Sequence, residues 1–328
     1  MVVTGVGSKE RAVATEQNEH DGQADRHGHS NRTPRAAILA NAAAGGADSE
    51  VVARAESAMV EAGYEVDRVD LDGAGALEEV DASGLDRLVV AGGDGTVHQT
   101  IAALHSRGQL SPRCPIGVLP LGTGNDLARG ARIPLDADTA IAVLIEGTPQ
   151  PMDLVVDDAG TVVVNAAHAG VGALAGERAE TFKSSLGSLG YAVGAVLAGG
   201  QSRGWPMQVD VDGVRVADPS TPLLMVGLAV GRTIGGGTEL APAADPGDGL
   251  VDVVVVSATG PLERVDFARR MRQGEHEQRD DVVVVQGRTV LLAGEDAPLN
   301  VDGELLGPVG SRTWTVHPAA WAVLVPPT

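Results

Sequence analysis

The chain has little cysteine, few aromatic residues and a shortage of basic side chains. Its 328 residues include one cysteine, Cys114, which excludes an internal disulfide and any zinc site built from cysteines. Aromatic residues make up only 2%, so aliphatic side chains must fill the core. Lys and Arg number 24 against 44 Asp and Glu, a formal net charge of -20. Because nucleic acids are bound by clustered basic residues, this charge argues against a nucleic-acid partner.

Long apolar runs are also missing. No segment reaches the roughly eighteen uninterrupted apolar residues that a membrane span requires. The start of the chain is polar and lacks the apolar run of a signal peptide. Together with the single cysteine, these features predict a cytoplasmic protein. Residues 1–33 are rich in His, Gly, Asn, Asp and Arg without periodicity, and we expect a disordered leader there.

From Ala36 onward, short apolar runs alternate with helical patterns. This alternation predicts an α/β fold that begins with a doubly wound parallel sheet. A helix opening at Thr96 would place Val97, Ile101 and Leu104 on one face. The other predicted elements are strands at 36–41, 64–69 and 86–91 and helices at about 49–62 and 137–146.

After about Pro151 the pattern changes to many short valine-rich runs. Such runs predict an antiparallel sheet or sandwich, interrupted by helices at 187–197 and 262–272. We therefore expect a nucleotide-binding domain at 34–150 and a β-rich domain at 151–316.

Two glycine-rich turns carry the strongest functional signal. The first, at 92–96, reads G-G-D-G-T, and the second, at 120–126, reads P-L-G-T-G-N-D. Each follows an apolar run, so both should open at the carboxyl edge of the parallel sheet, where nucleotides bind. Glycine lets backbone N–H groups turn toward a phosphate, although a single such turn usually only connects two elements.

The two turns match, letter for letter, the G-G-D-G-T and L-G-T-x-N-D loops of a known family. The chain thereby resembles the catalytic domain of diacylglycerol kinases, sphingosine kinases and their bacterial lipid-kinase relatives. The resemblance covers nearly everything from Ala36 onward and extends to segments at 165–172, 183–191, 235–243, 248–250, 301–304 and 316–326. It implies an NAD-kinase-like nucleotide-binding domain followed by an antiparallel β-sandwich domain. By the same analogy, the last strand, at 317–328, returns to complete the first domain.

The resemblance also implies an activity. The family transfers the γ-phosphoryl group of ATP to the hydroxyl of a lipid, such as diacylglycerol or a sphingoid base, with Mg²⁺. Two alternatives remain open: a catalytically silent nucleotide or lipid sensor, and an NAD kinase, which also uses a G-G-D-G-T loop. Expected partners are ATP and a lipid alcohol, with peripheral membrane contact and a homodimer as further expectations.

The nucleotide would be held by small residues at the ends of strands. Asn41 and the turn that follows it resemble the family's N-P-x-x-G phosphate loop, with Ala42 in place of proline. The predicted nucleotide-binding residues are Asn41, Gly45, Gly93, Asp94, Gly95, Thr96 and Thr123.

The metal and the catalytic base would come from acidic turns. In the family, Mg²⁺ is bound at the positions of Asp245, Asp248 and the backbone oxygen of Leu250, although these residues by themselves form a good turn. Glu304 stands where bacterial members place the proton acceptor, and Asp94 where sphingosine kinases place theirs. We predict Glu304 as the base and Asp94 as its electrostatic partner, although Asp302-Gly303-Glu304 alone would indicate a hairpin turn.

Two further polar residues and several departures from the family pattern affect the substrate. Asn125 and Asp126 are predicted either to contact the acceptor hydroxyl or to cap the helix that starts there. The departures are Ala42, His98, Gln99, Leu174 and Gly231. His98, in place of asparagine, would either form a hydrogen bond or face solvent. The only modest basic cluster, a candidate membrane contact, is Arg264, Arg269, Arg270 and Arg272.

Overall fold

The structure, a computed structural model, describes residues 32–40, 46–71, 75–171, 173, 203–257 and 260–327. Thr33–Thr328 form one compact unit. The predicted leader, except for residues 32 and 33, and the predicted helix at 187–197 lie outside the described residues.

The first half of the described chain forms a parallel sheet with helices on both faces. Its strands are β1 (Arg35–Ala40), β2 (Glu65–Asp70), β3 (Arg87–Gly92) and β4 (Ile116–Pro120), and its helices are α1 (Gly46–Glu61), α2 (Asp94–Ser106), α3 (Asp126–Gly130) and α4 (Ala137–Glu146). The strands lie in the order β2-β1-β3-β4 and pair in parallel. β1, β3 and β4 are almost entirely apolar because both faces of the sheet are covered.

Each face of this sheet has its own core. Helices α1 and α4 pack on one face, where Met59 and Leu144 are fully buried. Helix α2 packs on the other with Val97, Ile101 and Leu104, as their helical spacing predicts. The helix begins two residues earlier than expected, at Asp94, because Val97 N already donates to Gly93 O at 3.1 Å.

The second half is an antiparallel β-structure with one α-helix of several turns in its described residues. Its elements are β5 (Thr148–Asp157), β6 (Val162–Val163), β7 (Ala166–Gly170), β8 (Met207–Val211), β9 (Val214–Ala217), β10 (Leu223–Ala229), β11 (Thr233–Ile234), β12 (Thr238–Glu239), β13 (Val251–Ser257), α5 (Pro261–Met271), β14 (Val282–Gly287), β15 (Thr289–Val301) and β16 (Glu304–Val325). The strands β14-β13-β10-β7-β15-β16 form antiparallel neighbours in that order. Val226, Leu292 and Trp314 fill one core, and Phe267 of α5 fills another. The predicted fold class, a doubly wound α/β half followed by an antiparallel β half, is confirmed.

The last strand joins the two halves. β16 is 22 residues long, pairs first with β15 and then runs antiparallel to β5 as far as Val325, opposite Thr148. Near its end, Val323 pairs in parallel with Ile116 of β4. Among the described residues, one hydrogen-bonded sheet of 14 strands therefore runs from β14 to β2.

The basic cluster on α5 differs from the sequence hypothesis. Arg264 is 5% exposed, and Arg269 and Arg270 both bond to Asp266 at 2.9 to 3.0 Å. The spacing of three and four residues along the helix brings these charges together. The helix therefore does not present four available arginines to an anionic membrane. Within the described ranges, no helix is long and apolar enough to cross a bilayer.

Candidate active site

The two glycine turns meet backbone to backbone at the carboxyl edge of β3 and β4. Gly92 pairs with Pro120, and Leu121 N donates to Gly92 O at 3.0 Å. A β-carbon on Gly122 would lie 2.4 Å from Gly93 Cα, and one on Gly93 would lie 3.0 Å from Gly122 Cα. Only glycine allows this approach, so the two turns form one continuous loop surface.

Asp94 begins α2 and holds the second turn. Its Oδ1 accepts a hydrogen bond from Leu127 N at 3.2 Å, so this carboxylate caps α3. Burial raises the pKa of Asp94 above its ordinary value, and the charge of Asp126 acts in the same direction. Backbone N–H groups of residues 125–127 offset part of that rise. Asp94 thus lies half-buried between the two glycine turns.

Asn125 and Asp126 both have partners within the protein. The Asn125 side chain accepts from Gly122 N at 3.1 Å and donates to Gly122 O at 2.8 Å. One of the two interpretations predicts that this side chain caps α3. It does not, because its polar atoms bond to Gly122 and fix the glycine turn. Asp126 accepts from Gly236 N and Gly237 N, each at 2.8 Å. This buried carboxylate therefore joins the turn to the triple-glycine segment of the β half.

The other predicted nucleotide contacts within the described residues lie on these two turns. Gly95 and Thr123 are exposed, and Gly93 and Thr96 are partly exposed. The first N–H groups of α2 have no partner within the helix, so this end suits an anion. Asn41, Gly45 and Ala42 lie outside the described residues, next to the end of β1.

The turn that links β15 and β16 carries the predicted base. Asp302 and Gly303 have φ values of 48° and 95°, as the expected two-residue hairpin requires. The Asp302 carboxylate is 3% exposed and accepts backbone N–H bonds from residues 164–166 at 2.7 to 2.9 Å. Glu304 follows it and is exposed, with Oε1 3.3 Å from Gln99 Nε2 of α2.

Helix α2 therefore connects the two predicted acids. Asp94 is its first residue and Gln99 lies five residues on, about 7.5 Å along the helix axis. Asp94 lies against the backbone N–H groups of Asn125 and Asp126, and the helix that it begins reaches Glu304 through Gln99.

The predicted metal ligands lie on an exposed turn of the β half. Asp245 accepts from Gly247 N at 3.1 Å and Asp248 from Leu250 N at 2.8 Å. Within the described part of the chain, no hydrogen bond or ion pair joins Asp248 to Asp94 or Glu304. No group of three His, Cys, Asp or Glu placed to hold a metal was found among the described residues.

Sequence reasoning missed a buried acid that holds this turn. Asp153 is 1% exposed and accepts from Gly249 N at 2.7 Å and from Ala319 N at 2.8 Å. It ties the turn at 245–250 to the bulge of β16. A polar residue inside an otherwise apolar strand, Met152 to Val156, was the available signal.

The structure explains two of the departures from the family pattern, His98 and Gly231. His98 does not face solvent but is buried, with Nδ1 2.7 Å from Asp302 Oδ2. A β-carbon on Gly231 would lie 2.1 Å from Asn165 Oδ1, so a larger residue would displace that side chain. Leu174 lies outside the described residues.

Comparisons with known proteins agree with this architecture. The family model described as diacylglycerol kinase catalytic domain matches residues 35–156, and that of the YegS C-terminal NAD kinase beta sandwich-like domain matches residues 165–325. A protein of Pseudomonas aeruginosa (strain UCBPP-PA14) named "Probable lipid kinase YegS-like" is 33% identical over 293 residues, which is 85% of this chain and 91% of that one. A protein of the same name from Xanthomonas oryzae pv. oryzae (strain MAFF 311018) is 32% identical over 247 residues, which is 72% and 77% of the two chains.

Solved structures share the fold. A diacylglycerol kinase of Bacillus anthracis str. Sterne superposes with a TM-score of 0.69 at 19% identity, covering 91% of this chain and 98% of that one. Yeast NADH kinase, solved with NADH, gives a TM-score of 0.52 at 11% identity, covering 90% and 85%.

The fold and the matched catalytic domain define a kinase, which confirms the predicted class of phosphotransferase. The chain belongs to the family of YegS-like lipid kinases, as the resemblance of its glycine turns indicated.

Proposed function

We propose that the chain is an ATP-dependent kinase that transfers the γ-phosphoryl group to the hydroxyl of a lipid of the diacylglycerol or sphingoid-base type. One observation carries the proposal. A single helix, α2, begins with Asp94 at the glycine turns. Five residues further along the same helix, Gln99 contacts the exposed carboxylate of Glu304. A phosphate site and a proton acceptor are thereby held on one rigid element.

The proposed chemistry uses the two acids differently. Glu304 accepts the proton of the lipid hydroxyl while that oxygen forms a bond to the γ-phosphorus. The bond from the γ-phosphorus to the bridging oxygen breaks, and ADP leaves with that oxygen. Exposure of Glu304 supports the role of a base, since it leaves the carboxylate accessible to an acceptor. Half-buried Asp94 acts as its electrostatic partner.

The nucleotide is proposed to lie along the joined glycine turns. Backbone N–H groups at Gly93, Gly95 and Thr96 would bind its phosphates, with Thr123 from the second turn. Asn41 and Gly45 would complete the site from the end of β1. The backbone contact between Gly93 and Gly122 supports this role, because it fixes the donors before the nucleotide arrives.

Asp245, Asp248 and the carbonyl of Leu250 are proposed to hold Mg²⁺. Two exposed carboxylates and a backbone oxygen form a donor set that suits a hard cation, which would keep several waters. When bound, Mg²⁺ supplies positive charge that neutralises phosphate oxygens. Asp153 would hold the ligand turn in place through Gly249 N.

The lipid is proposed to approach from the side of β16. Leu305 and Leu306, directly after Glu304, are each 42% exposed. Apolar side chains beside the base suit an acyl chain. Substituting both leucines with serine should lower turnover of lipid in vesicles while sparing a short-chain soluble analogue. Equal losses on both substrates would count against lipid contact there.

The decisive experiment measures transfer of labelled phosphate from ATP to fractionated lipids with Mg²⁺. Glu304→Gln should reduce kcat by at least about 100-fold, since general-base catalysis contributes that much, and Asp94→Asn should also lower it. Glu295→Gln, an exposed acid on the same hairpin, is the matched control and should keep the wild-type rate. Wild-type rates in both Glu304→Gln and Asp94→Asn would overturn the proposal.

The same preparation separates the alternatives. Stabilisation by ATP without labelled product from any lipid fraction would favour a silent sensor. Formation of NADP from NAD would favour an NAD kinase.

A further inference from the structure

Two consecutive residues of α2 contact two residues of the β15–β16 turn. His98 Nδ1 lies 2.7 Å from Asp302 Oδ2, and Gln99 Nε2 lies 3.3 Å from Glu304 Oε1. The first contact is buried and the second is exposed. Helix α2 thus contacts this turn at two points: at Asp302, which we call the buried anchor, and at Glu304, the proposed base.

The buried anchor is well defined because Asp302 has four partners. Both of its oxygens accept backbone N–H bonds from residues 164–166, and Oδ2 also meets the His98 ring. Asp302 N in turn donates to Ala166 O at 2.9 Å. The turn therefore cannot shift relative to β7 without breaking these bonds. His98 is the side chain that ties this rigid unit to α2.

The titratable groups around His98 lie on the turn and on β7. Burial opposes protonation of His98, but the hydrogen bond and charge of Asp302 and the charge of Glu304 outweigh burial, so its pKa is raised. On β7, burial lowers the pKa of His168, which also senses Asp302, to about 4. His168 is therefore neutral near pH 7, so His98 is the histidine beside Asp302 whose protonation the surroundings favour.

We propose that His98, through its contact with Asp302, and Gln99, through its amide, are positioning residues that hold Glu304 for proton abstraction. The inference rests on the proposed role of Glu304 as the base. His98 does not touch the reacting atoms and acts through the turn, whereas Gln99 contacts the carboxylate of Glu304 directly.

The first test compares substitutions at His98 in the lipid-kinase assay. His98→Ala should lower kcat by about 10- to 100-fold, as expected for a misplaced catalytic group, while KM for ATP stays within about twofold of wild type. His98→Asn keeps an amide donor toward Asp302 and should recover part of kcat. His105→Asn, a histidine near the other end of the same helix, is the matched control and should behave as wild type. An unchanged kcat in folded His98→Ala would overturn the inference.

The second test uses Gln99. Gln99→Glu places a second carboxylate against Glu304, and two carboxylates that share a site resist joint ionisation. The acid limb of the kcat pH profile should therefore move to higher pH. Gln99→Ala removes the contact without adding charge and should leave that limb in place. Superimposable profiles for Gln99→Glu and wild type would show that Gln99 does not contact the base.

The third test does not depend on activity. A raised pKa in the folded state means that the charged pair stabilises the protein fully below the ordinary histidine value of 6.5. That stabilisation is lost as the pH rises through the higher pKa of the folded state. The difference in Tm between wild type and His98→Asn should thus be largest in acid and shrink above pH 6.5. A difference in Tm that does not vary with pH would show that His98 and Asp302 do not form a charged pair.

These outcomes separate the inference from the proposed function. If Glu304→Gln retains full activity, Glu304 is not the base, whatever His98 does. If Glu304→Gln is inactive and folded His98→Ala keeps the wild-type kcat, the proposed function stands and the positioning role is wrong.

Discussion

Gly122→Ala tests the contact on which the whole loop surface depends. The added β-carbon would lie 2.4 Å from Gly93 Cα and 2.8 Å from Asn125 Oδ1, whereas ordinary contacts begin at 3.4 Å. The obstructing atom on the first side is backbone, so no side-chain rotation relieves it. The two turns must separate by about 1 Å, with the strain typical of an overpacked core.

The cost can be worked out from these contacts. Overpacking costs about 1–3 kcal/mol, and weakening of the Asn125–Gly122 pair adds about 1 kcal/mol. We therefore expect the free energy of unfolding to fall by about 3 kcal/mol. Because the same displacement moves the N–H groups that we propose bind phosphate, ATP should bind at least about tenfold more weakly, which corresponds to 1.4 kcal/mol.

Gly95→Ala provides the control for the stability measurement. Gly95 lies in the first turn of α2, where no heavy atom comes within 4 Å of an added β-carbon. Alanine favours a helix over glycine by up to about 1 kcal/mol, so this variant should match or exceed wild-type stability. Urea unfolding and calorimetric titration with ATP measure the two effects. A Gly122→Ala protein that unfolds at the urea concentration of Gly95→Ala would refute the argument.

Three other perturbations follow from single contacts. Gly231→Ala should lower the urea midpoint, because its β-carbon would lie 2.1 Å from Asn165 Oδ1; an unchanged midpoint would mean that Asn165 moves freely. Asp126→Asn should lower the free energy of unfolding, measured in urea, by about 1–3 kcal/mol, since its amide NH₂ must face a backbone N–H such as that of Gly236. Wild-type stability would show that the bonds from Asp126 to Gly236 and Gly237 do not stabilise the fold. Burial raises the pKa of Cys114 to about 11, so a thiol reagent at pH 8 should react slowly with the native protein and rapidly in urea. Equal rates in both would show that the thiol is not protected.

Much of the parallel half could be predicted because its signals are local. Helix α4 spans 137–146 as predicted, since Asp136 caps its start and Gly147 follows its last turn. β1, β3 and β4 are buried on both faces, so their sequences are nearly continuous apolar runs. The hairpin at Asp302-Gly303 was also foreseen from its dipeptide.

Longer elements and side-chain partners could not be predicted in this way. β16 was expected only near its end, because its first ten residues contain two glycines and a proline. It persists as a strand because β15 pairs with its first part and β5 with its second. The partners of the Asp153 and Asp302 carboxylates are 96 to 204 residues away in sequence, so no local pattern reveals them.

The β15–β16 turn shows why structural and functional interpretations of a motif need not compete. Asp302 and Gly303 adopt positive φ values, and the Asp302 carboxylate binds three backbone N–H groups, all of which a purely structural hairpin would explain. Those same bonds fix where the next residue, Glu304, leaves the turn. A base must be held in place while its carboxylate stays accessible, and a rigid hairpin with an exposed following residue meets both needs. The structural role of Asp302 is therefore the means by which Glu304 can be positioned, and the contact from His98 extends that positioning to the helix that begins at Asp94.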